Sequence, residues 1–178
     1  VDANDTHTYT LSGTDAAFFE VVNGQLKLKD SVSADYETQN TYSITITAAD
    51  DASHEVTLTY SLQVTDVNEK PTAIALSATA IDENAVGVVV GTLTTTDVDV
   101  GDTHTYTVSD DRFEVDVDGQ LKLKAGNTVE YATEQTITLT VTTTDAAGES
   151  FDQEFTLTVG SIQISSTSFA ENADGTVV

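Results

Sequence analysis

The chain of 178 residues has no cysteine, no methionine, no tryptophan and a single proline, Pro71. Without cysteine, neither a disulfide framework nor a thiolate metal site is available, so rigidity has to come from another source. Basic residues are also scarce: 6 against 30 acids, a formal charge of -24. That balance argues against a nucleic-acid partner and against an anionic membrane surface. No apolar run approaches the roughly 20 residues of a membrane helix, so membrane insertion is not expected. No secretory leader is legible at the N-terminus, and the chain reads as a piece of something longer. Acidity with few aromatics is a signature of disorder as well. The alternating patterns described below answer that reading.

What the chain does have is a repeat. Asp2-Ala-Asn-Asp-Thr-His-Thr-Tyr9 returns 97 residues later as Asp99-Val-Gly-Asp-Thr-His-Thr-Tyr106. Gly24-Gln-Leu-Lys-Leu-Lys29 returns 95 residues later as Gly119–Lys124, with Tyr36 matching Tyr131 and Asp50 matching Asp145. A period near 95 is a whole domain. The second copy opens with Ile74-Ala-Leu-Ser-Ala-Thr-Ala-Ile-Asp-Glu-Asn84, for which the first copy has no counterpart. Ile162-Gln-Ile-Ser165 and Phe169-Ala-Glu-Asn172 match that opening, so residues 162–178 read as the start of a third repeat.

Tyr42, Ile44, Ile46 and Ala48 alternate with Thr and Ser, as do Val56, Leu58, Tyr60, Leu62 and Val64. Ile137, Leu139 and Val141, then Phe155, Leu157 and Val159, repeat the pattern in the second copy. Period-two alternation marks half-buried strands, and Asn23-Gly24, Asp118-Gly119 and Ala147-Gly148 mark turns between them. The expected class is all-β: tandem Greek-key β-sandwiches of immunoglobulin-like architecture, with about seven strands per repeat. The expected organisation is a repeat over 1–65 lacking its opening strands, a linker over 66–71, a complete repeat over 72–160, and opening strands over 161–178.

The acids cluster in short motifs. Asp66-Val-Asn-Glu-Lys-Pro71 lies between the copies, with acid and amide oxygens at alternate positions. Asp35-Tyr-Glu37, Glu83-Asn84, Asp97-Val-Asp99 and Asp145-Ala-Ala-Gly148 add further carboxylates. Oxygen-only ligands suit a hard cation such as calcium. In this order the five motifs resemble those of cadherin repeats, in the form found in large bacterial extracellular adhesins. The resemblance covers both repeats.

That resemblance implies a three-ion calcium junction between the repeats. It assigns Asn68, Asp97, Asp99 and Asp145 to one ion, with backbone oxygens near Lys70. Glu37, Asp66 and Glu69 would share the other two, with help from Asp35 and Asp99. Glu69 and Lys70 stand where the family has Asp and Asn. At the far end, Val159-Gly-Ser-Ile162 replaces the linker, and Ala132 stands where Glu37 would. The implied function is a calcium-stiffened structural and adhesive segment, extracellular or at a bacterial surface, whose partners are calcium and neighbouring repeats.

Two other functions compete with it. Cadherin-like domains of polysaccharide-degrading bacteria resemble carbohydrate binders, although the lack of Trp argues against a sugar platform. Alternatively, residues 162–178 of one molecule complete the first repeat of another, giving strand-swapped association. In that arrangement Glu171 supplies an upstream ligand. Enzymatic activity is not expected, because no Ser/His/Asp order, phosphate loop or His-x-x-x-His spacing stands out. Repetition of His7 and His104 points to packing or a turn. Tyr9, Tyr106, Phe19, Phe113, Tyr36 and Tyr131 read as core, and Lys27, Lys29, Lys122 and Lys124 as the wet face of strands.

Overall fold

A computed structural model describes residues 6–161. The chain divides into two compact units, Val1–Asn68 and Glu69–Val178.

In the second unit, β6 (Ala73–Leu76), β8 (Val89–Thr96), β10 (Phe113–Val115) and β11 (Gln120–Leu123) form one sheet in the order β10-β11-β8-β6. β7 (Ala80–Asp82), β9 (Thr105–Val108), β12 (Thr136–Thr144) and β13 (Ser150–Gly160) form the other, in the order β7-β13-β12-β9. The result is an all-β sandwich, as the alternation predicts. Along β12, Ile137, Leu139 and Val141 are at most 2% exposed, while the intervening threonines face out or lie half-buried. They pack with Ile74, Ile81, Val90, Leu93, Phe113, Leu121, Leu123, Leu157 and Val159 between the sheets. Each such side chain contributes about 1.5–3 kcal/mol by leaving water.

The fourth inward position of β12 is polar. Thr143 is fully buried, and its hydroxyl meets Thr95 Oγ1 at 2.9 Å, which in turn meets the Tyr106 hydroxyl at 2.7 Å. That chain of hydroxyls satisfies the buried group and ties β8 to β12 across the sandwich.

The first unit is thinner. β1 (Thr8–Ser12), β4 (Thr41–Ala49) and β5 (Glu55–Gln63) form a three-stranded sheet, with β4 in the middle. β2 (Phe19–Val22) and β3 (Gln25–Leu28) form a hairpin, preceded by a 3₁₀ turn over Ala16–Phe18. The core is Phe19, Tyr42 and Ile44. Phe18 and Phe19 both meet the Tyr42 ring edge-on, at 5.7 and 5.5 Å. Asp15, 8% exposed, holds this core to the sheet by accepting Ser43 N–H at 2.6 Å and Gln39 Nε2 at 3.0 Å. Those donors favour the ionised form and lower its pKa.

Of the aromatics expected in the core, Phe19 and Phe113 are buried, but Tyr9, Tyr36 and Tyr131 are 44%, 37% and 37% exposed. Tyr9 lies on a strand whose apolar face is largely uncovered, and the other two sit in loops.

Candidate metal centre

Three carboxylates converge at one end of the second unit. Asp97 immediately follows β8, Asp102 lies in the loop leading to β9, and Asp145 immediately follows β12. Strand register positions them. Thr144 of β12 pairs with Thr105 of β9, so Asp145 emerges beside His104. The Thr95–Thr143 hydroxyl contact holds β8 against β12 two residues before Asp97 and Asp145. Carboxylate oxygens of Asp97, Asp102 and Asp145 lie within 4.8 Å of one another.

Each acid is oriented by its own loop. Asp145 Oδ1 accepts the N–H groups of Gly148 at 2.7 Å and Glu149 at 2.8 Å, closing a turn that needs Gly148 at φ 97°. Asp97 is 4% exposed in its side chain; Oδ2 meets His104 Nε2 at 3.0 Å and Oδ1 accepts Asp99 N–H at 3.3 Å. Asp102 reaches the group because Gly101, at φ 100°, reverses the loop so that Asp102 N–H donates to Asp99 O at 3.2 Å.

The residues fit a hard cation. Two oxygens held at about 2.4 Å from one calcium ion lie no farther apart than about 4.8 Å. Asp102 Oδ2 is buried and has no hydrogen-bond partner among the described residues. A buried carboxylate oxygen without a donor is costly unless a cation neutralises it. The donor set is oxygen, with one imidazole already engaged by Asp97, which disfavours a soft metal.

The motif order assigns Asp99 both to the ion of Asp97 and Asp145 and to the ions of Glu37 and Asp66, and it is not one of the three acids that converge beside Asp145. Asp99 Oδ2 accepts the Glu69 backbone N–H at 2.8 Å, fastening the start of the second unit. Thr72 N–H donates to Thr96 O at 2.9 Å, and Pro71, just before Thr72, is fully buried. In the first unit, carboxylate oxygens of Glu37 and Asp66 lie within 4.8 Å of each other, and both residues are exposed. Asp35 accepts Thr38 N–H at 3.0 Å, a bond that lowers its pKa and shapes the turn carrying Glu37. Asn68 and Glu69 are exposed, at the end of the first unit and the start of the second.

Two residues escaped the motif reading, Asp102 as a carboxylate of the group and His104 as its imidazole neighbour. A signal for both was present: the octet repeats its second Asp and its His at Asp5/Asp102 and His7/His104.

No family model matches the sequence. No curated protein matches it. Solved structures do. The chain superposes on human protocadherin-24 EC1-2 with a TM-score of 0.72 and 24% identity, covering 91% of this chain and 86% of that one. Drosophila N-cadherin EC1-4 matches with a TM-score of 0.71 and 22% identity, over 89% of this chain and 42% of that one. PcdhgB3 EC1-4 matches with a TM-score of 0.72 and 20% identity, over 89% of this chain. This chain spans 41% of the length of that structure. The fold of this chain is that of cadherin domains.

Proposed function

We propose that the chain is a calcium-dependent structural and adhesive segment of a longer extracellular protein. The observation that carries this reading is the Asp97–Asp102–Asp145 group, whose buried Asp102 oxygen has no donor. Calcium neutralises such a group and accepts further oxygens in a loose geometry. The fold and the order of the acidic motifs support the same reading. Glu37, Asp66, Asn68, Glu69 and Asp99, with Asp35, supply the ligands for further ions where the units are joined, as the motif order implies. With calcium bound, successive units are held in one orientation; without it, like charges drive them apart.

Neighbouring repeats and calcium are the partners of this reading, and a bacterial surface is the setting that the resemblance favours. The experiment is a calcium titration by calorimetry on the parent and on Asp97→Ala/Asp145→Ala. Saturable binding in the range of about 10⁻⁴ to 10⁻³ M is expected for an extracellular site. The double variant loses at least one site. Equal binding by both proteins contradicts the proposal.

A further inference from the structure

The two copies turn the same hairpin in different ways. In the first unit, Val22 of β2 pairs with Gln25 of β3, so Asn23 and Gly24 alone form the loop. Both have positive φ, 52° and 74°, the type I′ geometry that Asn-Gly favours. In the second unit the matching hairpin pairs Val115 with Leu121, and residues 116–119 make a longer loop. There Gly119 N–H donates to Asp116 O at 3.0 Å. Neither Gly24 N–H nor the Asn23 side chain has a hydrogen-bond partner among the described residues.

Asn23 and Gly24 are both exposed. Asp118, which stands at the place of Asn23 in the second unit, is exposed as well, so access to this turn does not depend on how many strands cover the unit. Asparagine is among the thermolabile side chains, and most so before glycine, where no side chain crowds the next backbone nitrogen. Asn23 alone among the chain's asparagines precedes glycine; the others precede Asp, Thr, Glu or Ala.

We propose that Asn23 is a site of spontaneous deamidation, with isoaspartate at the tip of the β2–β3 hairpin as the main product. Gly24 N loses its proton to solvent base and attacks Asn23 Cγ. The bond from Cγ to the side-chain nitrogen breaks, and that nitrogen leaves as ammonia. The succinimide so formed is opened by water. Addition at Cγ gives ordinary aspartate. Addition at the backbone carbonyl carbon, the more electrophilic of the two, breaks the bond to Gly24 N and leaves the chain running through Cγ. One water is consumed and one ammonia released, with no oxidant or reductant. Asp118 offers only a carboxylate, a far poorer electrophile than an amide.

Isoaspartate inserts a methylene into a two-residue loop whose length fixes the hairpin register. Phe19 opposite Leu28 and Val21 opposite Leu26 depend on that register. Phe19 belongs to the first unit's core, and Leu26 and Leu28 pack against it. Conversion therefore loosens that core and adds a negative charge. The inference is independent of the calcium reading.

Incubating the whole chain in warm, mildly alkaline buffer and mapping its peptides by mass tests it. Asn23 should convert at least tenfold faster than Asn40 or Asn127, faster still as pH rises, and isoaspartyl methyltransferase should label the product. The aged fraction, separated by anion exchange for its added charge, should unfold at lower urea than fresh protein. Asn23→Gly keeps both positive φ values accessible and removes the amide. It should fold as the parent does, show no conversion in that peptide and keep its urea midpoint on ageing. Conversion of Asn23 no faster than Asn40, a product that the methyltransferase does not label, or an aged fraction as stable as fresh protein overturns the inference.

Discussion

Asp97 and Asp145, far apart in sequence and each just past a strand of a different sheet, bring carboxylate oxygens within 4.8 Å of each other and of Asp102. Neither strand end is free to relax away, because Thr95 and Thr143 bind each other just inside the sandwich. The acids are therefore held together by packing and not by attraction. Asp102→Asn should weaken calcium binding at least tenfold and leave the calcium-free protein as stable as the parent, or slightly more so. Calorimetry with denaturant midpoints in chelator checks both halves.

The hydroxyl chain has its own consequence. Thr143→Val removes one partner of Thr95 and should destabilise the second unit by about 1–2 kcal/mol, since a hydroxyl is left underpaired in the core. It should also lower calcium affinity, because the strand ends that carry Asp97 and Asp145 lose a tie. Urea midpoints and a calcium titration on the same variant separate the two effects.

Close packing at Gly91 predicts a sharper loss. A Cβ there would stand 2.8 Å from Ala78 N and 3.0 Å from Ala78 O, both backbone atoms. Gly91→Ala should therefore cost on the order of 1–3 kcal/mol, as overpacking against a fixed backbone does. Gly126→Ala is a poor control because of its positive φ, so Ala125→Ser serves, with an expected change under about 0.5 kcal/mol.

Acid sensitivity follows from Arg112, which bonds Asp110 at 2.7 Å and Glu134 at 2.6 Å. The guanidinium holds the Asp110 carboxyl below its usual range. A depressed carboxyl stabilises the fold above its unfolded value, about 3.9, and that contribution is lost as pH falls through the lower folded value. Asp110→Asn should therefore be less stable than the parent at pH 7, and the gap should close toward pH 2. Urea midpoints across that range measure it.

Much of this architecture can be read from residue order. Alternation along Thr136–Thr144 assigns Ile137, Leu139 and Val141 to the core, and the structure buries all three. The same alternation in β5 does not yield a buried face. Burial depends on a covering layer, and no local pattern in 55–63 reports whether that layer is present. At the metal centre, Asp97 and Asp145 stand out because each directly follows a Thr-Thr-Thr run at the end of an alternating strand. Asp102 joins them only through the reversal at Gly101, a backbone conformation that the motif spacing does not specify. Asp99, two residues from Asp97, turns instead to the Glu69 amide.

The most direct test is thermal unfolding in millimolar calcium and in chelator, on the parent and on Asp97→Ala/Asp145→Ala. Calcium at about 100 times its dissociation constant adds about 2.7 kcal/mol. For a unit of this size that should raise the midpoint on the order of 10 °C. The account predicts that rise in the parent and its loss in the double variant. Identical midpoints with and without calcium in the parent would contradict it and reduce the acidic group to a feature of the fold alone.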